Sequence, residues 1–179
     1  MSASDAIEKL WRRMLLVVGR GRITTGNDAG MVQTQQVKIG ELETRDNTKR
    51  VAEYGFTSMP LPGCHAVVIF VGGDRSNGVI IGTNDQNHRL KNLQPGEAAI
   101  YTDLGQWFWM KRTGIEIDGG GLPINVTNTP TVSVTATDIE LAGNVAITGG
   151  TFTHNGSNVG ATHKHGGVTA GGANTGGPV

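Results

Sequence analysis

Two histidines one residue apart, in Thr162-His163-Lys164-His165-Gly166-Gly167, are the sharpest chemical feature of the chain. On a strand, positions i and i+2 point the same way, so the His163 and His165 imidazoles can face one axis. Imidazole is a metal ligand, but two do not fill a site: zinc takes four ligands and an octahedral ion six. Three chains around one axis would bring six ring nitrogens to one point. That set suits a six-coordinate first-row ion such as iron and suits tetrahedral zinc poorly. The alternative is a fortuitous pair in a glycine-rich tail. After His165 the chain runs Gly-Gly-Val-Thr-Ala-Gly-Gly-Ala-Asn-Thr-Gly-Gly-Pro-Val. Such a segment reads either as a flexible linker or as a narrow tip where only small residues fit. At a tip, a metal would hold the end together in place of apolar side chains.

Other candidates are weaker. Cys64 and His65 are adjacent, so on a strand their side chains face opposite ways and a dyad is not expected. Cys64 reads as a small buried residue, and His88 and His154 as isolated surface polar groups. Trp107 and Trp109 share a face with Phe108 opposite, a pattern of packing before one of ligand stacking. Asp118, Asp138 and Glu140 read as turns or solvated faces, with a hard-cation site as the alternative. Gly119-Gly120-Gly121 leads into Leu-Pro and not into a helix, so no phosphate loop is supported. No Ser-His-Asp, Cys-His or paired-carboxylate arrangement stands out.

The elements that must position the histidine pair are thin strands. Apolar pairs at i, i+2 recur as Ile115/Ile117, Ile124/Val126, Val132/Val134, Ile139/Leu141 and Val145/Ile147, with glycine, asparagine and proline turns between. Each pair gives a strand only two inward aliphatic side chains. A lone chain with so narrow an apolar face would not offset the entropy lost on ordering. Stacked repeats or several chains sharing one core would. The tail therefore reads as a β-solenoid or an intertwined multi-chain β-helix. Six strands stacked at ~4.8 Å would stand roughly 30 Å tall.

The first 112 residues differ. They hold 14 basic and 11 acidic residues, a net of +3, and eight of the nine aromatics. Residues 113–179 carry one lysine against four acids, with 15 glycines and 12 threonines in 67 residues. The N-terminal stretch reads as a short helix capped by Ser4 or Asp5, with Ile7, Leu10, Trp11 and Met14 on one stripe. That stripe either covers its own domain or docks on a partner. Strands are expected near residues 15–18, 31–39, 66–71, 79–81, 98–101 and 107–110. A turn-rich hairpin loop lies at 72–78, and a charged loop is expected at 41–53. Met59-Pro60-Leu61-Pro62-Gly63 cannot be central strand. Several short strands in this span suggest a small antiparallel barrel of OB-like size.

Composition removes other classes. Charged residues are 17% of the 179, against about 25% in ordinary soluble domains, and the net charge is zero. Broad electrostatic binding of nucleic acid is not expected. No apolar run reaches the ~18 residues of a membrane-spanning helix. The opening residues do not resemble a signal peptide. A single cysteine forms no internal disulfide.

In order and motif the chain resembles the trimeric central spike, or baseplate assembly protein V, of Mu- and P2-type contractile phage tails. The resemblance rests on a Trp-Arg-Arg helix leading into Gly-Arg-Gly-Arg-Ile, a Pro-Leu-Pro-Gly segment before the hairpin, Gly96-Glu97-Ala98-Ala99-Ile100-Tyr101-Thr102-Asp103-Leu104-Gly105, Gly114-Ile115-Glu116-Ile117, and the closing histidine pair with its small-residue tip. It implies an all-β homotrimer: an N-terminal helix at 1–14, an OB-like barrel at 15–95, connecting strands at 96–112, an intertwined triple-stranded β-helix at 113–155 and a metal-stapled pointed apex at 156–179. It implies one iron per trimer, held by His163 and His165 of each chain. Related apices also hold calcium and chloride, with no ligands assignable in this sequence. The implied partners are the tail hub, other baseplate proteins and the host outer membrane; nucleic acid is not among them. The implied location is the virion tail baseplate, after assembly in the host cytoplasm. The implied work is mechanical piercing with no catalytic residue, because the carboxylates of lysozyme-bearing relatives are not recognisable here. Other classes kept in view are a host-recognising fibre or adhesin tip, an OB-fold binding module and a small iron enzyme. Six imidazoles would leave no open coordination position for the substrate of such an enzyme.

Overall fold

The computed structural model describes residues 3–163, 167 and 171. The chain divides into two units, Met1–Val126 and Thr127–Val179.

The first unit opens with helix α1 (Ala3–Leu15). Its stripe of Ile7, Leu10, Trp11 and Met14 stays 59–68% exposed, and no residue of the helix is buried. The stripe therefore does not cover its own domain. Only the last turn backs onto the fold: a Cβ added at Gly73 would lie 2.6 Å from the Arg13 carbonyl oxygen.

Five strands follow: β1 (Val18–Asn27), β2 (Thr34–Ile39), β3 (Glu43–Arg50), β4 (His65–Phe70) and β5 (Gly78–Asn84). They close a barrel in the order β1-β2-β3-β5-β4, with β4 returning to β1. The expected N-terminal barrel is thus present. All pairings are antiparallel except β3 with β5. Alternation puts Ile23, Val37, Ala66, Val68, Phe70 and Ile80 inside with Cys64, while Ile39 packs against them in part. Gln35 and Thr48 are the buried polar side chains among the described residues.

The stretch 41–53, expected as a loop, contains strand β3. Its sequence Glu-Thr-Arg-Asp-Asn-Thr-Lys-Arg buries only Thr48. Backbone pairing to both neighbours holds it in the wall, and its charged side chains face outward where solvation costs nothing.

The barrel's tight closure needs small residues on β1. A Cβ at Gly21 would meet the Lys38 carbonyl oxygen at 2.4 Å and Val37 Cγ1 at 2.7 Å. Neither neighbour can withdraw without breaking the β1–β2 ladder.

After the barrel, β6 (Ala98–Tyr101), β7 (Trp107–Lys111) and β8 (Gly114–Asp118) form an antiparallel meander. Residues 119–152 then contain no strand. The β pairs expected there have no strand partner within the one chain, and an unpaired extended segment has no ladder to join. In the second unit, β9 (Thr153–His154) and β10 (Ser157–Asn158) make a small hairpin.

Candidate functional site

The approach to the histidine pair is built by short-range hydrogen bonds. Asn155 and Gly156 take positive φ of 49° and 79° and turn the hairpin. The Val159 N–H extends its pairing by donating to the Phe152 carbonyl at 2.8 Å. The Asn158 side chain accepts from the Gly160 N–H at 2.9 Å and donates to Thr162 Oγ1 at 2.9 Å. That turn brings the Gly160 carbonyl to His163, whose backbone N–H donates to it at 3.1 Å.

The His163 ring nitrogen Nδ1 also lies 2.7 Å from the Gly160 carbonyl oxygen. A carbonyl oxygen only accepts, so this bond puts the proton on Nδ1 and the lone pair on Nε2. A metal-bound imidazole usually has this arrangement, with the non-ligating N–H tied to a carbonyl. His163 therefore fits the role of a metal ligand through Nε2. His165 lies outside the described residues. Among the described residues, no group of three or more His, Cys, Asp and Glu side chains is arranged to hold a metal.

The apolar pairs upstream stand in solvent. Ile124, Val126, Val132, Val134, Ile139, Leu141, Val145 and Ile147 are all 57–71% exposed. Asp138 and Glu140 are exposed as well. Asp118 is used locally, its carboxylate accepting from the Gly120 N–H at 2.7 Å to fix the turn after β8.

The remaining candidates are engaged by their own chain. Cys64 is buried, and that burial, with Asp85 nearby, pushes its thiol up, so it stays protonated near neutrality and is no nucleophile. The Asp85 carboxylate lies 2.8 Å from His88 Nδ1 and is held below its usual range, first by His88 and then by the Asn87 and His88 backbone N–H groups. Phe56, Met59, Cys64, Asp85, His88 and Tyr101 line part of one cavity of about 400 Å³. His65 Nδ1 lies 3.1 Å from Gln86 Nε2. Exposed His154 has Asn155 Nδ2 at 3.4 Å from its Nε2.

On the meander, Trp107 Nε1 donates to Glu116 at 3.2 Å, Lys111 bonds the same carboxylate, and the Lys111 ammonium stands 4.4 Å from the Trp109 ring centroid. The Lys111 bond, then that from Trp107, holds Glu116 below its ordinary value. The two tryptophans thus pack within their own sheet. Sequence reading missed the Asp85–His88 and Glu116–Lys111 pairs. Their signals were an i, i+3 spacing around the turn after β5 and a cross-strand spacing of five around the β7–β8 turn.

Comparison with known proteins locates the likeness at two places. Residues 20–87, nearly the whole barrel, match the family model of Bacteriophage Mu Gp45, N-terminal. Residues 161–179, which include His163 and His165, match the GpV Apex motif. The chain is 35% identical over 105 residues to the "Baseplate puncturing device gp45" of Escherichia phage Mu, covering 59% of this chain and 53% of that one. It is 34% identical over 95 residues to the "Mu-like prophage FluMu protein gp45" of Haemophilus influenzae, covering 53% and 52%. The chain spans about half the length of these curated relatives. The barrel is thus similar to the Mu Gp45 N-terminal model, and the C-terminal segment to the GpV Apex motif.

Proposed function

We propose that this chain is the central spike of a contractile phage tail baseplate, docking on the tail hub and piercing the host outer membrane mechanically when the sheath contracts. It works as a homotrimer in the virion. Three OB-like barrels sit at the hub end, residues 113–155 of three chains wind into a triple-stranded β-helix, and residues 156–179 form the apex. The observation that carries this reading is the row of exposed aliphatic pairs between the two matched segments. Eight side chains that one chain leaves in water are what an intertwined core would bury.

The shape suits the work. A β-helix closed around its axis pairs its backbone groups and has no free sheet edge, so it resists bending and aggregation. At the apex, His163 and His165 would hold a metal ion, iron by the count of six imidazoles. The Gly160 carbonyl supports this by fixing the ligating tautomer of His163. Bound there, the ion would supply cross-links between three strand ends.

Elemental mass spectrometry with light scattering tests the proposal. The expected result is a three-chain mass with about one iron per three chains. Replacing both histidines, His163→Ala with His165→Ala, removes the iron and loosens the tip while the barrel stays folded. Unchanged iron in that double variant, or one metal per chain, sinks the apex assignment.

A further inference from the structure

The outer wall of the barrel carries a cationic row that its own chain leaves unmet. In Gly19-Arg20-Gly21-Arg22 the glycines face inward and the arginines outward, where both are exposed. Register sets Arg22 opposite exposed Lys38 of β2 on one side and His65 of β4 on the other, with Asn84 of β5 beyond. Like charges directly opposite one another on a sheet cost stability. No carboxylate relieves this row. Among the described residues the side chains of Arg20 and Lys38 have no hydrogen bond or ion pair, and Arg22 donates only to the Gly63 carbonyl, at 3.3 Å. Arg12, Arg45, Arg75 and Lys111, by contrast, each meet a glutamate.

The row borders a groove. Arg20, Arg22, His65, Val67, Gly82 and Gln86 line a cavity of about 600 Å³ on the outer face of β1, β4 and β5. Gly82 keeps it open, because a Cβ added there would meet nothing within 4 Å. Along the wall, cross-strand rows pass from Arg22–His65 through Arg20–Val67–Gly82 to apolar Val18–Ile69–Val79. Strand β4 is thus apolar on both faces, with Ala66, Val68 and Phe70 buried inside and Val67 and Ile69 half-buried outside. A strand of that composition is expected where both faces are covered.

We infer that this groove takes a carboxylate-rich, extended segment of a neighbouring baseplate protein. The inference rests on the baseplate role proposed above and assigns one of its contacts to named residues. Charge complementarity selects the occupant, since Arg20, Arg22 and Lys38 lack the anions that would offset their mutual repulsion. The same face of a second copy would bring the same cations and be repelled. Three cations are too few for duplex nucleic acid, whose binders neutralise about 6–10 phosphates. No Phe, Tyr or Trp lines the groove for base stacking. The adjoining apolar row favours a polypeptide, which can alternate acidic and aliphatic side chains across the rows.

Fluorescence anisotropy with the full chain tests this. The probes are a short labelled peptide of alternating glutamate and valine, its lysine–valine counterpart and a single-stranded DNA. The expected result is binding of the glutamate peptide alone, weakened by raised salt. Arg20→Gln with Arg22→Gln and Lys38→Gln should weaken that binding by about tenfold. Lys49→Gln with Arg89→Gln and Lys91→Gln removes as much charge from exposed positions elsewhere and should leave it unchanged. Gly82→Leu keeps every charge, fills the groove and should also weaken binding, with the melting of the barrel unchanged. This variant decides the matter even where the charge variant fails to fold. No binding by the wild type, equal loss in the two charge variants, or full binding by Gly82→Leu overturns the groove. DNA held more tightly than the glutamate peptide through the same residues overturns the choice of occupant. Each of these failures can stand beside a three-chain, iron-bearing spike and so leaves that reading intact. Selective peptide binding by a monomeric, iron-free chain overturns the baseplate partner while keeping the site for an acidic segment.

Discussion

Arg75 closes one end of the barrel core. Its guanidinium carbon stands 3.9 Å from the Phe70 ring centroid, and its Nε donates to Glu43 Oε1 at 2.9 Å. Phe70 is fully buried, so the cation of this turn residue shields it while its charge is met by a carboxylate from strand β3. Hydrogen bonding to Arg75, then to Arg45, holds Glu43 below the ordinary carboxylate range. A folded-state value that is depressed gives stability in full above the unfolded value, and that stability is lost as pH falls through the folded one. Glu43→Gln is therefore expected to cost about 1 kcal/mol at neutral pH. It should also flatten the loss of stability below about pH 5. Urea unfolding across pH checks this, and an acid limb identical to wild type would refute the role of Glu43. Phe70→Ala belongs to a larger class, about 3–5 kcal/mol, because it empties the centre of the barrel. The Phe70 burial was legible from its place in a β-branched run. The Arg75–Glu43 contact was not, because 32 residues separate the partners and no local spacing announces the pair.

Strands were legible where alternation and apolar content agreed. β4, β5, β6 and β7 lie where apolar runs and turn signals put them. β3 was hidden because a barrel wall needs backbone pairing from every strand but inward side chains from only some, and β3 supplies Thr48 alone. The tail is the reverse case. Its apolar pairs were legible, yet one chain forms no strand over 119–152, because the partner strands belong to other copies under the proposed assembly. The histidine spacing was equally plain, whereas the Gly160 carbonyl that selects the His163 tautomer depends on a turn no periodicity encodes. If the pairs face a shared core, two carboxylates inside it must melt the shaft. Ile139→Asp with Leu141→Asp is expected to open residues 113–155 to thermolysin while the barrel survives as a resistant fragment. A double variant whose tail resists digestion as the wild type does would show that Ile139 and Leu141 face solvent in the assembly.

The two units differ in what holds them. The first has its own buried core of Ile23, Val37, Ala66, Val68, Phe70 and Ile80 with Cys64, whereas no described residue of the second is buried. A segment without an internal core cannot offset its ordering entropy alone, so under the proposed assembly folding of the tail and association of chains are one event. The barrel needs no such coupling to keep its interior dry. Heating should then produce two transitions of different kinds. If the proposed trimer forms, the tail transition should rise with protein concentration, because three chains then separate as it melts, and a chelator should lower it if the apex ion is part of what holds the chains. The barrel transition should stay fixed under both changes. Calorimetry over a hundredfold dilution, with and without chelator, separates these behaviours. A single transition insensitive to concentration would mean that each chain orders its tail unaided, and the shared core would have to be abandoned.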